Sequence, residues 1–269
     1  MNEVLITIVT ISFNQFKYLP IAIESVRSQK NVSWELVVVD PGSTDGSREY
    51  LQALASKDSR IKLILQNDSG PAEGLNRGFQ SAKGEIIGYL NSDDYYLPGI
   101  FERVLVAFER NPESACIYAH GLILENEKLR FQTSDIFTLN NYALRRGLVI
   151  QQSTFFNWNY LKNSDVRFNV ENRISWDGEF LVDIGMKGFK ITRVSDVWGV
   201  FRIYETSITG SGKFKTDGER EFQRIRKKIL SVTGLSKSLI TLYAFFRPFN
   251  SLNRRILNYY RSYSLRKYF

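Results

Sequence analysis

Two adjacent carboxylates, Asp93 and Asp94, come directly after an apolar run at residues 86–90. Like charges side by side repel one another, and a bound divalent cation is the simplest partner that makes such a pair favourable. The chain has one histidine and one cysteine, so the available ligands are oxygens, which suit Mg²⁺ or Mn²⁺ better than zinc. A plain helix cap ahead of Pro98 is the alternative explanation of the same residues.

Polar loops also follow the other early strand patterns. The first ends in Ser12-Phe13-Asn14, and the second ends in the polar segment 40–46. In an open α/β sheet, ligands bind at the carboxyl ends of the strands, near the point where the strand order reverses. The loops therefore predict one shared ligand site, although segment 40–46 also fits an ordinary Asx turn with a helix cap.

The sequence lacks the glycine-rich signatures of the common nucleotide-binding folds. It contains no GxxxxGK(S/T) motif, and no GxGxxG follows the first predicted strand, so P-loop hydrolysis and classical NAD binding are poorly supported. The single Cys116 and the single His120 exclude a disulfide framework and a Cys/His zinc site. We expect a buried, inert Cys116 and a structural hydrogen bond at His120.

The elements that must position these loops alternate between short β-rich runs and helical periodicity, which is typical of βαβ units. Strands are predicted at residues 5–10, 35–39, 61–65, 85–90 and 115–119. Helices with apolar residues three and four apart are predicted near 19–26, 50–54, 75–82 and 101–108, with Pro20, Pro71 and Pro98 at helix starts. A hairpin at 121–132, a helix at 176–187 and strands at 189–194 and 197–203 follow.

The composition fits a folded chain with an uneven distribution of charge. Its 269 residues, 43% hydrophobic, suffice for a full core and exclude a disordered or collagen-like chain. The net charge of +8 belongs to residues 213–269, which carry 14 Lys and Arg against three Asp and Glu. The N-terminal apolar stretch does not fit a signal peptide, and the run at 239–246 is too short for a membrane span, which predicts a cytoplasmic location.

Four motifs in order resemble the family 2 nucleotide-sugar glycosyltransferases of the GT-A fold. They are TISFN at 10–14, WELVVVDPGSTDGS at 34–47, DSGPAEGLNRG at 68–78 and GEIIGYLNSDDYY at 84–96, the last resembling that family's DXD region. The resemblance spans about residues 6–210 and implies a Rossmann-like α/β fold with a mostly parallel central sheet and flanking helices. We predict a catalytic domain over 1–212, with a nucleotide-sugar half (1–119) and an acceptor half (120–212), and a basic helical extension over 213–269.

The resemblance also implies roles for individual residues. Phe13 is expected to pack against the nucleobase, and Asp40 to accept a hydrogen bond from the base imide N–H. Asp93 is expected to lie near the ribose and diphosphate of a nucleotide sugar, most simply a UDP-sugar. Asp94 is expected to coordinate the Mn²⁺ or Mg²⁺ that bridges the diphosphate.

Several positions depart from the family pattern or keep two interpretations. Arg77 is either a donor-site cation or part of an exposed helix face, and the role of Glu73, where many relatives carry Asp, stays open. Tyr204 stands where relatives often have a histidine that helps at the metal. Phosphate oxygens and water are therefore expected to complete the metal shell. Pro41 replaces a commoner acidic or small residue.

Displacement at the anomeric carbon of the donor requires a general base for the acceptor hydroxyl. Segment WDGEF at 176–180 resembles the part of the family that carries this base, which makes Asp177 the predicted base and Glu179 the alternate. The metal acts as a Lewis acid on the leaving diphosphate, so no proton donor is needed there. Segment QQSTFF at 151–156 resembles the acceptor side, with an ordinary strand as the alternative.

The basic tail has three interpretations. Its apolar faces, around Phe222, Ile225 and Ile229 and within 235–249, fit an anionic membrane surface, which suits a lipid-linked acceptor. They equally fit packing on the catalytic body or on a second subunit of a homodimer. Nucleic-acid binding is disfavoured because no recognised motif accompanies the Arg and Tyr residues.

The resemblance thus implies an inverting glycosyltransferase of bacterial surface-polysaccharide assembly, with a glycan or lipid-linked acceptor. The competing enzyme is a nucleotidyltransferase of similar fold, which normally shows a basic glycine-rich loop near the first strand. The competing class is a non-catalytic module that binds a membrane or nucleic acid through the tail.

Overall fold

The first half of the chain forms a parallel α/β layer. The computed structural model describes residues 5–234 and Asn258. The first elements are β1 (Ile6–Ile11), α1 (Leu19–Arg27), β2 (Trp34–Val39), α2 (Ser47–Ala55), β3 (Ile61–Ile64), α3 (Pro71–Ser81) and β4 (Ile86–Asn91). β1 pairs in parallel with both β2 and β4, and β2 pairs in parallel with β3. The strand order therefore reverses at β1, where ligand sites of α/β sheets form.

The second half extends the same sheet with strands that pair in both directions, since β6 and β9 are parallel and the other pairs are antiparallel. Its elements are β5 (Tyr95–Tyr96), α4 (Ile100–Arg110), β6 (Ser114–Glu125), β7 (Lys128–Gln132), α5 (Leu139–Ala143), β8 (Thr154–Asn157), α6 (Trp158–Leu161), α7 (Trp176–Met186), β9 (Lys190–Ile203) and α8 (Lys215–Thr233). The order across the sheet is β3-β2-β1-β4-β8-β6-β9-β5, with β7 beside β6. β8 runs antiparallel between β4 and β6 and joins the two halves.

Helices cover both faces of the sheet, so its central strands are apolar on both sides. All six residues of β2 are buried. One core cluster lies beneath α3, α7 and α8, and a second lies beneath α1, α2 and α4. α3 packs closely on β1 because it presents Gly78 there, where a Cβ would lie 2.3 Å from Val9 Cγ1. Such continuous apolar strands are typical of sheets covered on both faces.

The predicted strands and helices occur in the predicted order, and the short elements β5, α5 and α6 are additions that the sequence analysis did not predict. Two predicted features also differ. The strands predicted at 189–194 and 197–203 form one strand, β9, because β6 is long enough to pair with both stretches across register shifts. Pro98 does not begin α4; the helix starts at Ile100, after Gly99 in a left-handed conformation. The hairpin of β6 and β7 and the buried Cys116 are as predicted.

The helix predicted at the start of the tail packs on the body of the protein. Ile225 and Ile229 of α8 are fully buried, and the Phe222 ring lies 6.1 Å from that of Tyr142. This apolar face therefore contacts the body rather than a membrane. Within 5–234, no helix is both long and apolar enough to cross a bilayer. Segment 235–249 lies outside the described residues. The membrane, homodimer and cytoplasmic assignments, and the domain boundary at 212, stay predictions.

Candidate active site

A cavity of about 1000 Å³ opens at the carboxyl ends of β1, β2 and β4. This edge is the one at which the strand order reverses around β1. Its walls include Ser12 and Phe13 after β1, Pro41 after β2, the loop at 67–71, and Asn91 at the end of β4. The volume lies at the upper end of the range for small-molecule and cofactor sites.

The first strand is followed by an aromatic ring that lines this cavity, and the second is followed by a carboxylate that is buried beside the cavity wall. Phe13 is 59% exposed and lines the cavity, so its ring is available to a ligand. Asp40 lies fully buried between Val39 and Pro41, which both line the cavity. Its Oδ1 accepts hydrogen bonds from Ser43 N (2.8 Å) and Arg48 Nε (3.0 Å), whereas its Oδ2 has no partner among the described residues.

The environment of Asp40 keeps it ionised. Burial on its own raises the pKa of this carboxyl, but hydrogen bonds from Ser43, Arg48 and Gly42 outweigh burial and hold the pKa below its ordinary value. A buried carboxylate oxygen without a partner is unfavourable, and an N–H group of a ligand would satisfy it.

Asp68 is a cavity residue that the sequence analysis did not select. It follows β3, lines the cavity and accepts a hydrogen bond from Gly70 N (3.0 Å). Burial raises the pKa of Asp68, and the negative charges of Glu73 and Asp40 raise it further. Asp68 lies in a loop that follows a strand, as Asp40 does, and this position is the signal that could have identified it.

The adjacent carboxylates Asp93 and Asp94 point to different surroundings. Asp93 lines the cavity, and Asp94 is 1% exposed and does not. Both oxygens of Asp94 accept protein hydrogen bonds, Oδ1 from Arg202 N (2.8 Å) and Oδ2 from Gln152 Nε2 (2.6 Å). Burial raises the pKa of both carboxyls, and the Asp93 charge raises the pKa of Asp94 further.

The residues that face the cavity near Asp93 fit a hard divalent cation. Asn91 Oδ1 is buried without a hydrogen-bond partner among the described residues, and Asn91 lines the cavity two positions before Asp93. In the described part of the chain, no three His, Cys, Asp or Glu side chains cluster as a ready-made metal cage. Two oxygen donors on one side would leave the remaining positions to phosphate oxygens and water, as Mg²⁺ prefers. Each oxygen of Asp94, the predicted metal ligand, accepts a protein hydrogen bond, and Asp94 does not line the cavity, so its role at the metal stays a prediction.

Tyr204 closes this part of the site from the end of β9. Its hydroxyl donates to Asp93 Oδ2 (2.9 Å) and accepts from Gln15 Nε2 (3.1 Å). The Tyr204 ring packs against Tyr18, with centroids 4.8 Å apart. Tyr204, which the resemblance aligns with a histidine of many relatives, therefore contacts the carboxylate of Asp93.

Asp177 lies at the start of α7 and borders two cavities. Its side chain lines the large cavity and also a smaller one of about 350 Å³. Burial raises the pKa of Asp177, although hydrogen bonds from the Gly178 and Asp177 backbone oppose the shift. A carboxylate whose pKa is raised toward neutrality has the properties of a general base.

Glu179, the alternate base, is committed elsewhere. It is 2% exposed and accepts hydrogen bonds from Arg224 Nη1 (2.7 Å) and Asn172 Nδ2 (2.8 Å). Burial raises the pKa of Glu179, but the Arg224 and Asn172 hydrogen bonds outweigh it and lower the pKa overall. Glu179 lines neither cavity, so the two carboxylates of this helix turn are separated by their surroundings.

A match to a protein-family model covers the strands of the first half and the loops that follow them. Residues 7–165, more than half of the chain, match the family model described as Glycosyl transferase family 2. The chain belongs to glycosyl transferase family 2. The matched region includes Phe13, Asp40, Asp93 and Asp94, and it ends before Asp177.

Relatives of this family 2 chain include proteins named as glycosyltransferases. An uncharacterized glycosyltransferase of Nostoc sp. is 32% identical over 130 residues, which cover 48% of this chain and 40% of the relative. The chondroitin synthase of Pasteurella multocida is 31% identical over 114 residues, or 42% of this chain and 12% of the synthase. The match spans less than half the length of the first relatives.

Solved structures confirm the GT-A fold of this family 2 chain. S. aureus TarS 1–349 in complex with UDP-GlcNAc has a TM-score of 0.67 at 20% identity, covering 88% of this chain and 70% of TarS. The mannosyltransferase PcManGT from Pyrobaculum calidifontis, in complex with GDP-Man and Mn²⁺, has a TM-score of 0.57 at 15% identity, covering 94% and 82%. At these identities the likeness concerns the fold.

Arg77 of the family 2 chain lies outside the cavity lining. It donates to the Asn67 carbonyl (2.8 Å) and pairs with Glu73. Hydrogen bonds from Ser69 and then from Arg77 lower the pKa of Glu73 to about 2. The two residues brace the loop at 67–70, which is itself a wall of the cavity.

The segment at 151–156 contains two cavity residues and a strand. Gln151 and Gln152 line the cavity, and β8 begins at Thr154, whereas the predicted acceptor role of the segment stays a prediction. Trp176 also lines the cavity, whereas Trp158 packs on Phe79 at the edge of the core. His120 Nδ1 accepts a hydrogen bond from Ser134 N (3.1 Å), as predicted.

Proposed function

We propose that this chain is an inverting, metal-assisted glycosyltransferase that transfers a sugar from a UDP-sugar to a hydroxyl of a glycan or lipid-linked acceptor. One observation carries the proposal: Asp177, with a raised pKa, lies between a cavity large enough for a nucleotide sugar and a second, smaller cavity. Family membership and the UDP-GlcNAc complex of the similar TarS fold support this class of donor.

The nucleotide end of the donor is assigned to Phe13 and Asp40. The exposed Phe13 ring offers a surface for a base to pack on, and Asp40 Oδ2 offers an acceptor without a partner. Uracil presents an imide N–H that a carboxylate can accept, whereas the equivalent ring nitrogen of cytosine carries no hydrogen. This chemistry favours UDP over CMP.

The metal contact is assigned to Asp93 and Asn91 in place of Asp94. Asp93 and Asn91 line the cavity, and the oxygens of Asp94 are both committed to protein donors. The Mn²⁺ of the similar PcManGT fold supports a divalent cation. When bound, Mn²⁺ or Mg²⁺ supplies Lewis-acid stabilisation of the negative charge on the leaving diphosphate.

Asp177 serves as the general base of the transfer. The acceptor oxygen forms a bond to the anomeric carbon, and the bond from that carbon to the diphosphate oxygen breaks. The electron pair leaves with the diphosphate, and the hydroxyl proton passes to the Asp177 carboxylate. Attack opposite to the leaving group inverts the anomeric configuration. Relatives named for chondroitin and hyaluronan synthesis support polysaccharide assembly as the setting.

The experiment is a thermal-shift titration with UDP, GDP, dTDP and CMP, each with Mn²⁺, Mg²⁺ or EDTA. Because a ligand that binds only the folded state stabilises it, UDP with metal should raise the melting temperature, and EDTA should reduce that shift. Asp40→Asn places an N–H group at the acceptor position and should weaken the UDP effect at least tenfold. If no nucleotide stabilises the protein at millimolar concentration, the donor-site proposal is wrong.

A further inference from the structure

The smaller cavity, of about 350 Å³, joins the large one at Asp177. Leu148, Val149 and Gln151 border both spaces. The other walls include parts of β4, α5, β8, α7 and α8, so the cavity extends beyond the family match. Its volume is at the lower end of the range for small-molecule sites, which suits a single ring rather than a nucleotide.

Two tyrosine hydroxyls in this cavity have no hydrogen-bond partner among the described residues. Tyr89 of β4 is 2% exposed, and Tyr142 of α5 is partly buried. Burial raises the pKa of both phenols, and the nearby Asp177 charge raises each further, so both lie within electrostatic reach of that carboxylate. Neither phenol oxygen is a fully buried atom, so both hydroxyls are open to the cavity and available to a ligand that can donate or accept a hydrogen bond.

The local sequence at Asp177 makes room for one of these hydroxyls. A Cβ at Gly178 would lie 2.5 Å from Tyr142 Oη. A side chain at this position would therefore displace the phenol, and the glycine next to Asp177 lets the hydroxyl approach the turn that carries the base.

The charges around the cavity favour a neutral ligand. Arg145 is the single cation that lines it among the described residues, and Arg145 pairs with Glu219 and stacks on the Phe222 ring at 3.8 Å. Asp177 adds a negative charge to the wall. A phosphate or carboxylate would meet this negative charge and find the cation already paired.

We propose that the smaller cavity is the acceptor subsite and that it holds a neutral, polyhydroxylated ring, a monosaccharide unit, between the hydroxyls of Tyr89 and Tyr142. The inference rests on the proposed function and extends it by assigning the chemical class of the acceptor. The reacting hydroxyl lies at Asp177, and neighbouring hydroxyls of the ring bond to the two phenols. Phe222 of α8 forms an apolar wall for the ring.

The test measures sugar binding to the full chain by saturation-transfer NMR, with and without saturating UDP and Mn²⁺. The probes are methyl β-D-glucopyranoside and methyl N-acetyl-β-D-glucosaminide as neutral rings, with glucuronate and glycerol 3-phosphate as anions. The variants are Tyr89→Phe and Tyr142→Phe. Tyr160→Phe is the matched control, because Tyr160 is 41% exposed and its hydroxyl bonds to the Pro112 carbonyl, away from both cavities.

We expect a neutral pyranoside to bind the unmodified chain and to bind each cavity variant about three- to tenfold more weakly, the loss of one hydrogen bond. The control variant should bind it unchanged. UDP binding should be the same in all variants, and the melting temperatures of Tyr89→Phe and Tyr142→Phe should not fall, because the hydroxyls they remove are unpaired.

Three results overturn the inference: no neutral pyranoside binds in either condition, binding is equal in both cavity variants and the control, or only the anionic probes bind. If UDP binds and the pyranosides do not, the acceptor assignment fails while the donor site stands. If UDP with Mn²⁺ does not bind, the proposed function fails, and the nucleotide-free measurement still decides whether the cavity takes a sugar.

Discussion

The hydroxyl of Tyr204 donates a 2.9 Å hydrogen bond to Oδ2 of Asp93, across 111 positions of sequence. The contact joins the end of β9 to the end of β4 and fixes the carboxylate at the cavity wall. The same phenol accepts from Gln15, in the loop after β1, so three strand ends meet at one hydroxyl.

Tyr204→Phe should weaken the apparent affinity for Mn²⁺ by about ten- to a hundredfold, as for other residues that orient a metal ligand. The Phe ring keeps the packing on Tyr18, so the fold should be retained. The measurement is a Mn²⁺ titration of the UDP-induced rise in melting temperature. An unchanged Mn²⁺ midpoint would show that the Tyr204 hydroxyl does not position Asp93.

Alanine at Asp93 and alanine at Asp94 should have different effects. Asp93→Ala should abolish the metal dependence of UDP binding and leave the melting temperature near that of the unmodified chain. Asp94→Ala removes the acceptor of the Arg202 N–H and the Gln152 amide, and each unsatisfied donor costs about 1–3 kcal/mol of stability.

Thermal unfolding and a UDP titration with Mn²⁺ or EDTA, run in parallel on both variants, provide the comparison. A stable Asp94→Ala variant that loses the metal effect, beside an Asp93→Ala variant that keeps it, would return the metal contact to Asp94.

Asp177→Asn should lose activity without losing stability. Removal of a general base costs about 10²–10⁴-fold in rate. Because the pKa of Asp177 in the fold lies above its ordinary value, the ionised carboxylate destabilises the folded state at neutral pH, and the neutral amide should match or raise the melting temperature. Sugar transfer and thermal unfolding are measured on the same preparation. A marked loss of stability would indicate a structural role for this carboxylate.

Arg224→Ala should destabilise the contact between α8 and α7 in a pH-dependent way. The variant leaves the buried Glu179 charge without its cation, which costs about 2 kcal/mol after allowance for the partial exposure of Arg224. The pKa of Glu179 is lowered in the fold, so the stability that the pair contributes is fully present above the unfolded pKa and is lost as the pH falls through the folded pKa.

The melting temperatures of the unmodified chain and of Arg224→Ala should therefore differ most at pH 7 and converge as the pH falls through the lowered pKa of Glu179. Arg220→Ala, on the exposed side of the same helix, is the control. A difference that stays constant with pH would show that Glu179 is not the group that Arg224 neutralises.

The parallel core and the grouping of Phe13, Asp40 and Asp93 could be predicted from the sequence. The spacing of the apolar residues identifies the strands. Parallel strands of one layer bring their carboxyl ends to the same edge of the sheet. The prediction that Asp177 lies at this edge needed the family resemblance, because more than eighty residues separate Asp177 from Asp93.

Other assignments depended on partners that local sequence does not contain. Asp93 and Asp94 are identical in type and adjacent, and which of them faces the cavity depends on the N–H of Arg202 and the amide of Gln152. Arg77 has the charge expected of a donor-site cation, but its contacts with Glu73 and the Asn67 carbonyl hold it outside the cavity lining.

The sequence by itself determined the order of the elements, the family and the set of polar loops. Each of these is identified from patterns of residues that are near neighbours along the chain. The tertiary structure decided the direction of each carboxylate, the contact between Tyr204 and Asp93, and the cavity that Tyr89 and Tyr142 line. These features join β4, α5, α7, α8 and β9, and such contacts depend on how distant elements pack rather than on the spacing of residues within any one of them.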